Sequence, residues 1–121
     1  MAYNAYLAER IGQIFSDYNL QIEEKKMMGG LCFMLNKKMC CGIHFDKKRK
    51  IDLLMVRIGE AKVEEVSSRK ECLPMNFTGR PMKGFIFVKP DGFDLDSDLK
   101  FWVDLCIAYN PMAKASKKRK N

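Results

Sequence analysis

Leu31-Cys32-Phe33-Met34-Leu35-Asn36-Lys37-Lys38-Met39-Cys40-Cys41-Gly42-Ile43-His44-Phe45 is an apolar run, a polar break and a second apolar run. Each run is too short for a helix with its own caps, so the spacing predicts two strands, residues 31–35 and 39–45, closed into an antiparallel hairpin. With a two-residue turn at Asn36 and Lys37, Cys32 stands directly across from Cys41. The plainer expectation for both cysteines is that of small buried hydrophobes.

Working outward from the hairpin, Leu7, Ile11, Ile14, Phe15 and Tyr18 recur at helical spacing, with Glu9, Arg10, Gln13 and Asp17 opposite them. This predicts an amphipathic helix over residues 4–18. After Glu23 and Glu24, the run Lys25-Lys26-Met27-Met28-Gly29-Gly30 reads as a bend into the hairpin. Downstream of the basic turn Lys47-Lys48-Arg49-Lys50, residues 51–58 suit a third strand that Gly59 ends. Val63 and Val66 mark a short helix over residues 60–68. Residues 72–77 and 85–88 are further strands, separated by the loop Thr78-Gly79-Arg80-Pro81-Met82-Lys83-Gly84. Pro90-Asp91-Gly92 is a turn. Ser97 reads as the N-cap of a last helix, with Asp98 in its first turn, a stripe of Leu99, Trp102, Val103, Cys106 and Tyr109, and Pro111 as its stop. The order is helix, three strands, helix, two strands, helix. Short links between strands then imply an α+β domain of two layers, a mostly antiparallel five-stranded sheet with helices on one face.

The chain has 121 residues, 47% of them apolar and 31% charged, the profile of one globular domain. At this size folding removes roughly 65% of the unfolded chain's surface from water, enough for one core without staples. The expected division is a domain over residues 1–110 and a disordered basic tail over 111–121. The net charge of +7 is uneven, because Lys114, Lys117, Lys118, Arg119 and Lys120 supply five of the 22 basic residues; without them 17 basic residues face 15 acidic ones. A basic tail on a near-neutral body reads first as a solvated end, the alternative being weak, non-specific and salt-sensitive phosphate contact through Lys117, Lys118, Arg119 and Lys120, and neither reading is a nucleic-acid-binding fold. With no long apolar run and no signal pattern, the chain reads as cytoplasmic, with no membrane partner.

Cys32, Cys40, Cys41, Cys72 and Cys106 show no Cys-x-x-Cys spacing, and His44 is the single histidine, so neither a disulfide framework nor a structural metal is expected. Serine-triad, P-loop and dinucleotide patterns are all missing, and the acidic residues are explained by helix faces, turns and caps. No convergent catalytic constellation can be assembled, so no enzyme and no cofactor is expected. The richest stretch is residues 75–85, where Gly79 and Gly84 bracket Arg80 and Lys83 and Pro81 fixes one backbone angle. As a loop it would present two cations and backbone N–H groups to an anion or to a partner's carboxylate. The alternative is a structural connection whose cations are merely solvated.

At this loop the sequence resembles the TfoX/Sxy N-terminal domain family, bacterial proteins whose full-length members regulate natural competence genes. The resemblance is carried by Lys25-Lys26-Met27-Met28-Gly29-Gly30-Leu31, Cys41-Gly42, Leu54-Met55-Val56-Arg57-Ile58-Gly59, residues 75–85 and Asp98-Leu99-Lys100-Phe101-Trp102-Val103. It runs from residue 3 to about residue 109, with Met28 where an aromatic residue is expected. It implies a two-layer fold related to secretion-chaperone-like domains, and no catalytic residue. In the family the regulators act with the cyclic-AMP receptor protein at promoters, and their second, helical domain has no counterpart in this sequence. Two readings follow. The first is a non-enzymatic regulatory or adaptor domain touching a transcription partner, DNA or both, with the loop at Arg80 and Lys83 as its contact surface. The second is a small-ligand or anion-binding domain, or an unrecognised enzyme, using Arg57, Arg80 and Lys83 with Lys25. Lys26, Gly79 and Gly84 complete the set of candidate contact residues. Cations converging on one concave site favour the ligand, and cations spread beside apolar surface favour the partner.

Overall fold

A computed structural model describes residues 4–27, 30–77 and 80–113 of the chain. The elements are α1 (Ala5–Asp17), β1 (Ile22–Met27), β2 (Gly30–Leu35), β3 (Lys38–Asp46), β4 (Ile51–Arg57), α2 (Glu60–Val66), β5 (Cys72–Phe77), β6 (Arg80–Val88) and α3 (Asp96–Tyr109). Short 3-10 turns at Pro90–Gly92 and Asn110–Met112 flank α3. The strands form one open sheet in the order β1-β2-β3-β4-β6-β5, with every neighbouring pair antiparallel. This is the expected α+β architecture, with six strands in place of five.

The extra strand is β1. Its residues Glu23, Glu24, Lys25 and Lys26 are exposed and pair on one side only, with β2. Charge on an edge strand discourages a further strand from adding there, so the feature that reads as a bend in the sequence is edge protection in the fold.

All three helices pack on one face. Leu7, Ile11 and Phe15 of α1, Val66 of α2, and Leu99, Trp102, Val103 and Cys106 of α3 share a core with Leu31, Phe33 and Leu35 of β2, Cys41 and Ile43 of β3, Leu54 and Val56 of β4, and Ile86 and Val88 of β6. Asn4 caps α1, its Oδ1 accepting from the backbone N–H of Tyr6 at 2.8 Å and of Leu7 at 3.2 Å. Ser97 is not the cap of α3. That helix starts a residue before it, Leu95 holds the cap position without a side-chain bond, and Asp96 and Asp98 supply the first-turn charge. The Trp102 indole N–H donates to the Gly92 carbonyl at 2.9 Å, tying α3 to the turn before it.

The β2–β3 turn is the two-residue one, with Asn36 at φ 56° and Lys37 at φ 65°, both left-handed as that tight hairpin requires. Buried Asn110 fastens it, accepting from Asn36 Nδ2 at 2.9 Å and donating to the Leu35 carbonyl at 3.1 Å. The facing of Cys32 and Cys41, however, is broken. Met34 pairs with Met39 but Phe33 pairs with Cys41, so Cys40 is one extra residue on β3 and Cys32 meets Gly42. A bulge of one residue sends everything beyond it to the other face, and Cys32 and Cys41 end on opposite sides of the sheet.

Candidate interaction face

On the other side of the sheet, Cys32, Leu53, Met55, Met75 and Phe87 form a second buried cluster, ringed by partly buried Met34, Met39, Ile51, Leu73, Met82 and Phe85. Every one of these residues belongs to a strand. Cys32, Gly42, Met55, Phe87 and Leu73 make one continuous row across β2, β3, β4, β6 and β5, with Lys25 of β1 at its end. Gly42 keeps the row low, since a Cβ there would come within 2.8 Å of the Met55 methyl carbon. The His44 ring stacks on Phe87 at 5.5 Å and 16°. The Arg57 guanidinium lies 5.2 Å over the Phe85 ring and donates to the Met39 carbonyl at 3.3 Å. Five of the chain's nine methionines gather here, and unbranched, polarizable side chains suit a surface that moulds itself to a partner.

The stretch expected to be a loop is a strand. Residues 80–88 are β6, Phe77 pairs with Arg80 and Asn76 with Pro81, and only Thr78 and Gly79 connect β5 to it. At Asn76, Phe77, Arg80 and Pro81 the backbone is thus taken up in strand pairing rather than presented by a loop. The irregularity lies further on, where Met82, Lys83, Gly84 and Phe85 together stand opposite Met75 alone. Gly84 makes that bulge with φ 82°, a left-handed conformation that favours glycine. Its carbonyl accepts from the N–H of Ile58 at 2.9 Å and of Gly59 at 3.1 Å. Gly84 therefore shapes the backbone where β4 gives way to α2.

The candidate cations do not converge. Lys25 and Lys26 are exposed on the edge strand β1, and Arg57 on β4 is three strands away, roughly 14 Å at ordinary strand spacing. Lys83 is exposed and borders a cavity of about 420 Å³ between α2 and the β5–β6 hairpin. Glu60, Glu64, Val63, Met82 and Phe85 also line that cavity, whereas neither Arg57 nor Lys25 reaches it. Arg80 is placed by its backbone as the first residue of β6. Gly79 and the basic residues Lys117, Lys118, Arg119 and Lys120 lie outside the described residues.

Burial pushes the Cys32 thiol, on β2 at the Lys25 end of this row, up to about 11 against the pull of the Lys25 charge, so it stays a protonated, apolar contact. Among the described residues no group of three His, Cys, Asp or Glu side chains is arranged to hold a metal ion, and no helix is long and apolar enough to cross a membrane.

The family model of the TfoX N-terminal domain matches residues 13–109, from α1 to the end of α3. The chain belongs to the TfoX N-terminal domain family. No curated protein and no solved structure matches it. Membership makes this a competence or regulatory type of domain at the level of the family. The TfoX N-terminal fold accounts for the strings shared with the family: Lys25 to Leu31 covers the β1–β2 hairpin, residues 54–59 the end of β4, and residues 75–85 the β5–β6 hairpin. The methionine face was not read from the sequence, although a signal was there. Leu53-Leu54-Met55-Val56 shows no alternation, which marks a strand apolar on both sides.

Proposed function

We propose that this TfoX N-terminal domain is a non-enzymatic regulatory or adaptor module that binds a transcription factor through the helix-free face of its sheet. The observation that supports this is the methionine-rich cluster around Met55 and Phe87, which among the described residues is built by strands alone and bordered by α2 only at the cavity beside Met75 and Met82, with Arg57 and Lys25 spread along it. The partly buried rim of Met34, Met39, Ile51, Leu73, Met82 and Phe85 brings the edge of that cluster to the surface, and apolar surface beside charged residues is the form that protein contact sites take. Separated cations add steering and register to such a surface and make no pocket for an anion. The cavity beside Lys83 suits an anion poorly, because Glu60 and Glu64 share its wall.

The test uses fluorescence anisotropy of a labelled promoter duplex, bare or carrying the cyclic-AMP receptor protein, the partner that the family resemblance implies. The whole chain is expected to bind the loaded duplex. A chain truncated after Ala113 should retain that binding, and Met34→Glu should weaken it about tenfold, the effect of losing one contact of roughly 1.4 kcal/mol at the rim of the face. Binding that is lost on truncation, indifferent to Met34→Glu and falling with a log–log salt slope of about −4 to −5 would reduce the interaction to tail electrostatics.

A further inference from the structure

Helix α3 is apolar on two sides. Leu99, Trp102, Val103 and Cys106 are buried against the sheet. Away from them, Asp94, Asp98, Phe101, Leu105, Ala108 and Met112 follow one another at steps of four and three residues, the spacing of a single row along a helix. The row starts just before α3 and ends in the turn after it. Asp94, Asp98 and Ala108 are exposed, Phe101 is 39% and Met112 69% exposed, and Leu105 is half-buried. A helix that is apolar all round is normally covered on every side. The outer side of α1 carries exposed Glu9, Gln13 and Asp17 instead. Directly after Ala113 the sequence brings Lys114, Lys117, Lys118, Arg119 and Lys120, so the row reads acidic, then apolar, then basic.

We propose that this row is a contact surface for a second copy of the chain, the two α3 helices lying antiparallel about a two-fold axis. With the axis beside residues 106 and 107, Phe101 meets the partner's Met112 and Leu105 meets the partner's Ala108, and the symmetry makes each contact twice. The same register carries the basic residues after Ala113 of one copy past Asp98 and Asp94 of the other. A parallel pairing would set acid beside acid and base beside base, so the order of the charges selects the antiparallel one.

The other charges near the row are already matched within the chain. Asp96 is paired with Arg10 at 3.0 Å, and Lys100 with Asp104 at 2.9 Å. The Arg69 guanidinium lies 5.1 Å over the Phe101 ring and is held to Glu71 at 3.6 Å. Asp94 and Asp98 have no ion pair among the described residues, which leaves them for the basic segment of the second copy. Fourteen helical residues span roughly 21 Å, so the interface is small and belongs to the weak, reversible class. Because α3 packs on one face of the sheet, two copies joined along its outer side stand back to back, and their methionine faces point apart. The pairing does not rest on the transcription-factor reading, and each can fail without the other.

Sedimentation velocity of the whole chain, from micromolar to sub-millimolar concentration, reads the pairing directly. A reversible monomer–dimer equilibrium is expected, weakening several-fold as salt is raised from about 50 to 500 mM. Ala108→Glu, at an exposed helical position that leaves the core untouched, and Phe101→Glu should each weaken the dimer about tenfold or more. Asp94→Lys together with Asp98→Lys should weaken it several-fold, and adding Lys117→Glu, Lys118→Glu and Arg119→Glu to the same chain should restore it. Met34→Glu, on the opposite face of the sheet, should leave it unchanged. A chain that stays monomeric at every concentration overturns the proposal, as does a dimer indifferent to both Ala108→Glu and Phe101→Glu. A charge exchange that restores nothing overturns the antiparallel register. A dimer lost through Met34→Glu and kept by Ala108→Glu assigns self-association to the sheet face and overturns the proposal equally.

Discussion

The two faces of the sheet are made by the same strands and differ in what lies over them. On the covered face Phe33, Leu54, Val56 and Val88 are each 0% exposed beneath Phe15 and Trp102, and the shapes are branched or aromatic. On the other face Leu53, Met55, Met75 and Phe87 are buried by a rim of half-buried methionines and Phe85. A close-packed interior of defined rotamers specifies one structure, whereas methionine fills irregular space and tolerates rearrangement. The contrast separates the surface that holds this domain together from the surface it presents.

Adjacent residues of β2 test that contrast most sharply. Phe33 is stacked on Phe15 at 6.2 Å inside the covered core, and Met34 sits on the rim of the open face. Phe33→Glu buries an unpaired carboxylate, a cost of several kcal/mol against a total stability of about 5–15 kcal/mol, so the cooperative thermal transition should be lost. Met34→Glu, with water at hand, should cost no more than about 1 kcal/mol, lowering Tm by roughly 8 °C at most. Circular dichroism melts of the two variants decide the matter. Similar losses from both would mean that the second face is as fully covered as the first.

A smaller difference is expected between Leu54 and Met55, neighbours on β4 that point to opposite faces. Leu54→Ala opens a cavity under the helices and should cost about 2–5 kcal/mol. Met55→Ala leaves flexible neighbours free to close in, and about 1–2 kcal/mol is expected. Urea unfolding with equal slopes gives both values directly. If Met55→Ala proves the costlier, the open face is a rigid second core and the adaptable-surface reading of it fails.

Much of this division was legible before the fold was known, and the exceptions have physical causes. Helical spacing placed α1 and α3, and the break at Asn36 and Lys37 placed the tight turn, because those signals are local. The edge strand β1 escaped notice because its protective charges, Glu23 to Lys26, are the residues that argue against a strand. The Cys40 bulge carries no local signature at all, so the loss of the expected facing of Cys32 and Cys41 was out of reach. The string from Gly79 to Gly84 looks like a loop because Gly and Pro usually punctuate chains, yet here Pro81 lies in a strand beside the outermost one and Gly84 makes a bulge. The candidate cations were identifiable one by one, but their spacing was not, since it depends on a strand order in which β6 enters between β4 and β5.

The smallest expected effect concerns the one acidic side chain that intrudes on the covered side of β4. Asp52 follows the alternation of Leu54 and Val56 and lies under the start of α1, beside a cavity of about 340 Å³ that Arg10, Asp94 and Asp96 also line. Its Oδ1 has no hydrogen-bond partner. Burial pushes its carboxyl above the ordinary value of 3.8, against one hydrogen bond from the backbone of Asn4. A carboxyl raised in the folded state favours folding while it is protonated, and that contribution is lost as pH rises through the folded value. At neutral pH the charge is therefore a burden that Asp52→Asn removes while keeping an acceptor for Asn4. The variant should be more stable by up to about 1 kcal/mol at pH 7, a Tm gain of a few degrees, with Asp52 half-exposed and the gain limited accordingly. The gain should shrink as pH falls and vanish below the ordinary carboxylate value, where both side chains are neutral. A variant that melts lower than the parent at pH 7 would instead show that Asp52 is held as a carboxylate by Arg10, making it a favourable contact of the helix-covered face.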